Sequence, residues 1–214
     1  MVRFMYRSQL KSRNQDEIQD AIAACSEAIS RLVAAGALMT ATLYRHETQL
    51  FLYYECIAEE MEPGRLLEPL DGFLESWPGS DALRKWVPMY DIFHYDAPAG
   101  PEHWKRKLPV DKRVGRIARI KPEMLGSYIF YHYQLQEEYR ETGNKYCVIG
   151  LYENLIFHYE EHPVETAAPS FRGSLGTSNT PGDWKKLMDP HFIQWENAAG
   201  DRVNFIVLEP VISF

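Results

Sequence analysis

Tyr128 and His132 stand four residues apart in the stretch YIFYHY, and Tyr146 follows further along the chain. Residues four apart on a helix lie one above the other on the same face. An imidazole beside phenols is acid/base chemistry, because a histidine titrates near neutrality and can take or give a proton in a reaction. The plainer alternative is a satisfied core histidine among buried tyrosines whose hydroxyls have found partners. The chain itself offers a comparison that bears on the choice.

The 214 residues contain one pattern twice, at a spacing of about 110. Leu43-Tyr44, a turn and Leu50–Glu55 answer to Leu151-Tyr152, the shorter turn Glu153-Asn154 and Leu155–Glu160, so both read as hairpins. Leu66-Leu67-Glu68-Pro69 answers to Leu187-Met188-Asp189-Pro190. Each half opens with a strand (3–10 and 114–120) and a long helix, roughly 16–35 and 122–141. The first helix ends at Gly36, and the second starts at Pro122 and exits at Gly143-Asn144. Each half closes with an apolar strand, 89–95 and 205–214. The order is strand, helix, strand, strand, helix, strand. The fold class is therefore α+β: two tandem ferredoxin-like repeats (βαββαβ), whose antiparallel sheets bury their bare faces against each other as an intramolecular dimeric α/β barrel. The expected divisions are repeat 1 at 1–95, a proline-containing linker at 96–112 and repeat 2 at 113–214.

The first helix carries the stripe Ile18, Ile22, Cys25, Ile29 and Leu32. The same stripe shifted by 110 begins at Tyr128 and His132, and Tyr146 falls opposite Leu38. Three apolar positions of repeat 1 are thus Tyr, His and Tyr in repeat 2, on neighbouring elements. A cluster so placed can converge on one cavity, at a desolvation cost that hydrogen bonds must offset.

Ile120-Lys121-Pro122-Glu123, Tyr128, His132 and Lys145-Tyr146 together resemble the L-rhamnose mutarotases, whose domain has a Pro-started first helix carrying Tyr-x-x-x-His and an Asn-Tyr at the next strand. The resemblance covers about 114–195 in pattern, and repeat 1 in architecture alone. It implies a dimeric α+β barrel and cofactor-free interconversion of sugar anomers. His132 would be the main proton donor and acceptor, Tyr128 and Tyr146 would orient the sugar, and Trp195 and Trp184 would match the family's tryptophans. His158 joins these as a binding candidate. The chain departs from the pattern after His132, where Tyr133-Gln134-Leu135-Gln136 replaces Asn-Pro-x-Trp-Pro, and at Trp195-Glu196, where the family has paired tryptophans. It also inserts 163–182, a Gly/Ser/Thr/Pro-rich loop that reads as a surface loop or a lid.

Other readings of the same barrel are a haem-binding protein with His132 as ligand, a cofactor-free monooxygenase with His132 as base, and a non-catalytic ligand-binding barrel. The net charge of −7 argues against nucleic acid as a partner, and no apolar run is long enough to span a membrane. Cys25, Cys56 and Cys147 lack metal spacing and read as core thiols of a cytoplasmic protein. The expected partner is a small molecule, with a monosaccharide as one candidate, and such barrels can self-associate. Arg116 and Arg119 alternate along one strand, so at most one of them points inward.

Overall fold

The computed structural model describes residues 1–13, 16–138, 142–196 and 204–214. Both repeats fold in the expected order, and each contributes most of one α+β unit with an antiparallel sheet. Unit 1 comprises 1–89, 98–105 and 209–214. Its strands are Val2–Gln9 (β1), Leu38–His46 (β2), Gln49–Cys56 (β3) and Val87–Pro88 (β4). They run in the order β4-β1-β3-β2, with residues 209–213 added beside β2. The helix Gln19–Ala34 (α1) buries Cys25 and Ile29 in a core with Leu43, Leu52 and Tyr54. Gly36, at φ 70°, ends it, and the amide of Ala37 returns to the carbonyl of Leu32. The second helical segment is short, Pro63–Leu66 (α2) followed by a 3-10 turn at Glu68–Phe73, and Pro101–Trp104 (α3) joins the same unit.

Unit 2 comprises 90–97 and 106–208. Its sheet runs 206–208, Lys112–Ile120, Leu155–His162, Val148–Tyr152, Tyr90–His94. We label these strands in chain order: β5 (Tyr90–His94), β6 (Lys112–Ile120), β7 (Gly143–Asn144), β8 (Val148–Tyr152), β9 (Leu155–His162), β10 (Thr166–Ala167), β11 (Phe192–Ile193) and β12 (Ile206–Ser213). After a 3-10 turn begun by Pro122, the helix Leu125–Glu137 (α4) buries Tyr128 and His132. A second short helix is Trp184–Met188 (α5).

Four sequence expectations change. The units cut across the division at 95 and 113, because the closing strand of repeat 1 pairs with β8 and residues 209–213 pair with β2. Part of the expected linker is helical, at α3. Helix α4 ends at Glu137 with Glu138 already extended; residue 141, its expected end, lies outside the described residues, and Gly143-Asn144 is the strand β7. The hairpin turns are equal in length. His46 pairs with Gln49 and Tyr152 with Leu155, so the turns are Glu47-Thr48 and Glu153-Asn154, each with its glutamate in the left-handed region (φ 54° and 55°).

That equality fixes the register of the duplication. Leu52 corresponds to His158, Tyr53 to Tyr159 and Glu55 to Glu161, since Leu52 pairs with Leu43 and Tyr6 just as His158 pairs with Ile149 and Arg116. A Tyr-x-Glu device is therefore present twice. In unit 1 the buried Glu55 accepts from Tyr53 at 2.5 Å and from the Trp104 indole at 2.7 Å. In unit 2 the buried Glu161 accepts from Tyr159 at 2.7 Å and from Arg106 at 2.6 and 2.9 Å.

The insertion is anchored to the end of α4. Glu138 accepts from Thr177, from the amides of Asn179 and Thr180, and from the Thr180 hydroxyl, at 2.5 to 2.8 Å. Glu137 accepts from the amide and hydroxyl of Ser174. Burial works to raise the Glu138 pKa, but the loop's donors outweigh it and hold the carboxyl down to about 2.

Two measurements check these arrangements. Arg106→Met leaves Glu161 buried with Arg113 no nearer than 3.9 Å. It should cost about 3–5 kcal/mol in urea unfolding, with part of the loss recovered in Arg106→Met/Glu161→Gln; a cost below about 1 kcal/mol would contradict the pairing. For the loop, a depressed carboxyl stabilises docking fully above its unfolded pKa of roughly 4.3 and loses that stabilisation as pH falls toward the folded value. Glu138→Gln should speed tryptic cleavage after Arg172 at neutral pH, and the wild-type loop should become sensitive to pepsin as pH falls from 4 toward 2. A loop equally resistant in both tests would show that Glu138 does not hold it.

Candidate functional site

Helix α1 in unit 1 and helix α4 in unit 2 each cover one sheet face, and the two faces differ in chemistry. Under α1 the sheet presents Phe4, Tyr6, Leu52 and Tyr54, with Phe4 and Tyr54 stacked at 5.1 Å. At the corresponding places under α4 it presents Val114, Arg116, His158 and Glu160. An aromatic cluster in one repeat is thus an ion pair in the other: Arg116 donates to Glu160 at 2.6 Å. Ile18, in the 3-10 turn before α1, and Ile22 on α1 answer to Tyr128 and His132 on α4.

Between α4, α5 and this sheet face lies a cavity of about 400 Å³. Ile149, Ile156, Trp184, Met188, Phe192 and Phe205 give it mostly hydrocarbon walls. Tyr128 and His132 line it from the helix, and Arg116 and His158 from the sheet. Lys185, Asp189 and Asn204 complete it, with Lys185 bound to Asp189 at 2.7 Å and Asn204 to the same carboxylate at 3.2 Å.

Within the cavity the histidine's orientation is set. Nδ1 of His132 lies 2.9 Å from the carbonyl of Tyr128, which can only accept, so Nδ1 carries a proton. The Trp184 ring meets His132 edge-on at 5.0 Å and Phe93 does so at 5.6 Å, which holds the ring upright. Tyr128 is 2% exposed, and its hydroxyl has no hydrogen-bond partner among the described residues. Burial raises its pKa far above the ordinary range, so it stays a phenol and can donate.

On the sheet, Arg116 lies 3.3 Å from Nδ1 of His158 and can only donate, so His158 carries its proton on Nε2. Burial pushes the His158 pKa down to about 4, aided by Arg116 and opposed by Glu160. Nε2 of His158 is 3.2 Å from Sγ of Cys147. Burial works to raise the Glu160 pKa, but His158 and Arg116, with His162 bound at 3.0 Å, hold it below the usual carboxylate range.

Four of the six predicted residues therefore meet: Tyr128, His132, Trp184 and His158. Tyr146 and Trp195 do not line the cavity; both lie outside the strands, Tyr146 in the turn that the Cys147 amide closes on the Asn144 carbonyl. Cys147 contacts His158 on the α4 side, whereas the Tyr146 ring is stacked by Arg106, the partner of Glu161, at 4.3 Å. Trp195 is stacked by Arg119 at 4.2 Å, whereas Ala118 and Ile120 lie in the core beneath α4. Arg116 and Glu160 were not among the predicted six. The signal that could have found them was the repeat in its correct register, where Tyr6 and Tyr54 become Arg116 and Glu160.

No family model matches the chain, and no curated protein matches it. Two solved structures do. A protein from Fusobacterium nucleatum described as a "Putative monooxygenase" aligns over 99% of this chain and 92% of its own, with 9% identity and a TM-score of 0.48. A second, from Lactobacillus acidophilus and described in the same words, aligns over 100% and 96%, with 7% identity and a TM-score of 0.47.

Proposed function

We propose that unit 2 is a cofactor-free proton-transfer site for a small, uncharged, largely apolar molecule bearing one weakly acidic group, the chemistry of a monooxygenase-type enzyme. The observation that carries this reading is the pair Tyr128 and His132, which line one mostly apolar cavity together, the Tyr128 hydroxyl making no hydrogen bond among the described residues. The charges of the site are already spent. Arg116 is paired with Glu160, Lys185 with Asp189, and His158 is neutral at physiological pH. A charged ligand would therefore enter an apolar cavity without a counterion.

In this reading Nε2 of His132 removes the ligand's acidic proton while Tyr128 donates to the oxygen on which negative charge develops. Trp184 and the aliphatic walls hold a flat ring and keep water away. The resulting electron-rich anion can itself reduce dioxygen. A ring C–H and the phenol O–H give way to two C=O groups, one oxygen atom enters the product and the second leaves as water. Sugar anomerisation is supported less well. A ring of hydroxyls needs several hydrogen-bond partners, but Arg116 and Lys185 are engaged with carboxylates, and Tyr146 and Trp195 lie off the cavity.

The test is a panel of neutral phenols and hydroquinones followed by oxygen uptake, with monosaccharides followed by NMR saturation exchange. A compound should be found whose turnover falls by about 10²-fold or more in His132→Ala and less in Tyr128→Phe. Turnover indifferent to His132, or exchange of a sugar anomer with no oxygen uptake, would overturn the reading.

A further inference from the structure

The indole of Trp184 is the part of the cavity wall that meets His132 edge-on at 5.0 Å, and it stands at the first position of α5. Met188 packs into the core and holds the far end of that helix. The near end is held from another direction. Thr180, four residues before Trp184, gives its amide and its hydroxyl to one oxygen of Glu138, at 2.8 and 2.5 Å. The other oxygen takes the Thr177 hydroxyl and the Asn179 amide, and Gln134 donates to it from within α4 at 3.2 Å. The tether from this clamp to the wall is short. Four residues reach at most about 14 Å, and Glu138 stands roughly 9 Å along the helix direction from His132. Pro181 stiffens the tether. Asp183 caps α5 by accepting from the Lys186 amide at 3.1 Å. Little slack is left between Thr180 and the indole. Gly173 lets the same loop close on α4, because a Cβ there would lie 2.0 Å from the Glu137 carbonyl oxygen. Repeat 1, whose covered face is filled with hydrocarbon and aromatic rings, carries no matching insertion.

We propose that Glu138 is a positioning residue of the unit 2 cavity: it fixes Thr180, and through that short tether it holds Trp184 against His132. Glu138 is not part of the cavity wall, so it acts through the indole, which bounds the space beside His132 and gives a flat ligand a surface. A wall fixed before binding spares the ligand the cost of ordering it. The effect on ligands rests on the reading of the cavity as a ligand site; the hold on Trp184 does not.

The experiment uses the folded full chain, first without ligand. The indole ring current acts on the carbon-bound ring protons of His132, so their NMR shifts report where Trp184 stands. Trp184→Leu gives the shifts with the indole removed. Glu138→Leu should move them most of the way to those values, and Glu138→Gln, which keeps one acceptor oxygen, should move them less. Thr180→Val, which keeps the amide bond and loses only the hydroxyl, should move them in the same direction and serves if Glu138→Leu does not fold. The second readout is titration with 1-naphthol. Glu138→Leu should weaken binding about tenfold through loss of the preorganised wall, and should add little in a chain already carrying Trp184→Leu. His132 shifts unchanged in the Glu138 and Thr180 variants, or a loss of affinity that persists in full in the Trp184→Leu background, would overturn the inference. Shifts that move as expected in a chain that binds no 1-naphthol would sustain the hold of Glu138 on Trp184 and sink the ligand reading instead.

Discussion

A helix laid on a sheet removes the covered face from water, and every polar group on that face must then be matched. Unit 1 meets this constraint with hydrocarbon and aromatic rings, Ile18, Leu52, Phe4 and Tyr54. Unit 2 keeps the same backbone plan but puts Arg116, His158 and Glu160 on the covered face. These satisfy one another as a lattice along β6 and β9, with His158 held neutral and Arg116 shared between a carboxylate and an imidazole. The helix above them carries a histidine fixed by its own backbone and a phenol that faces the cavity. The cavity lies between the two.

The duplication separates what the scaffold needs from what the site needs. The Tyr-x-Glu device is kept in both copies, at Tyr53-Glu55 and Tyr159-Glu161, with Trp104 or Arg106 completing it. A feature retained on both sides of the duplication belongs to the architecture. The exchanges Tyr6 to Arg116, Leu52 to His158, Tyr54 to Glu160 and Ile22 to His132 occur in one copy only, and all lie beneath or on α4. The insertion 163–182 is also confined to repeat 2, and it ends up tied to Glu137 and Glu138 at the C-terminal end of that helix.

The order of elements and the pairing of Tyr128 with His132 were legible in the sequence, because the helical period of 3.6 and the internal repeat both mark them. Tyr146 was misplaced with them. It sits in a turn closed by the Cys147 amide on the Asn144 carbonyl, ahead of the strand on which the expectation had placed it. The hairpin alignment, off by one until the two turns proved equal in length, hid Glu160, whereas strand alternation had already marked Arg116 or Arg119 as inward. The unit boundaries were not legible, because pairing of the closing strands depends on partners distant in sequence. Glu138 reads as one more acidic residue of a charged helix end; its role depends on Thr177 and Thr180, some forty residues away.

The most direct test of the central claim is NMR of the chain with ¹⁵N-labelled histidine rings and ¹³C-labelled tyrosine rings, titrated with 1-naphthol. The account predicts that His132 and Tyr128 shift together along one saturable curve, that the His132 Nε2 signal reports a new hydrogen bond, and that Tyr146 stays unmoved. Shifts confined to Tyr146 or to histidines outside the cavity, with His132 and Tyr128 unchanged at saturation, would contradict it.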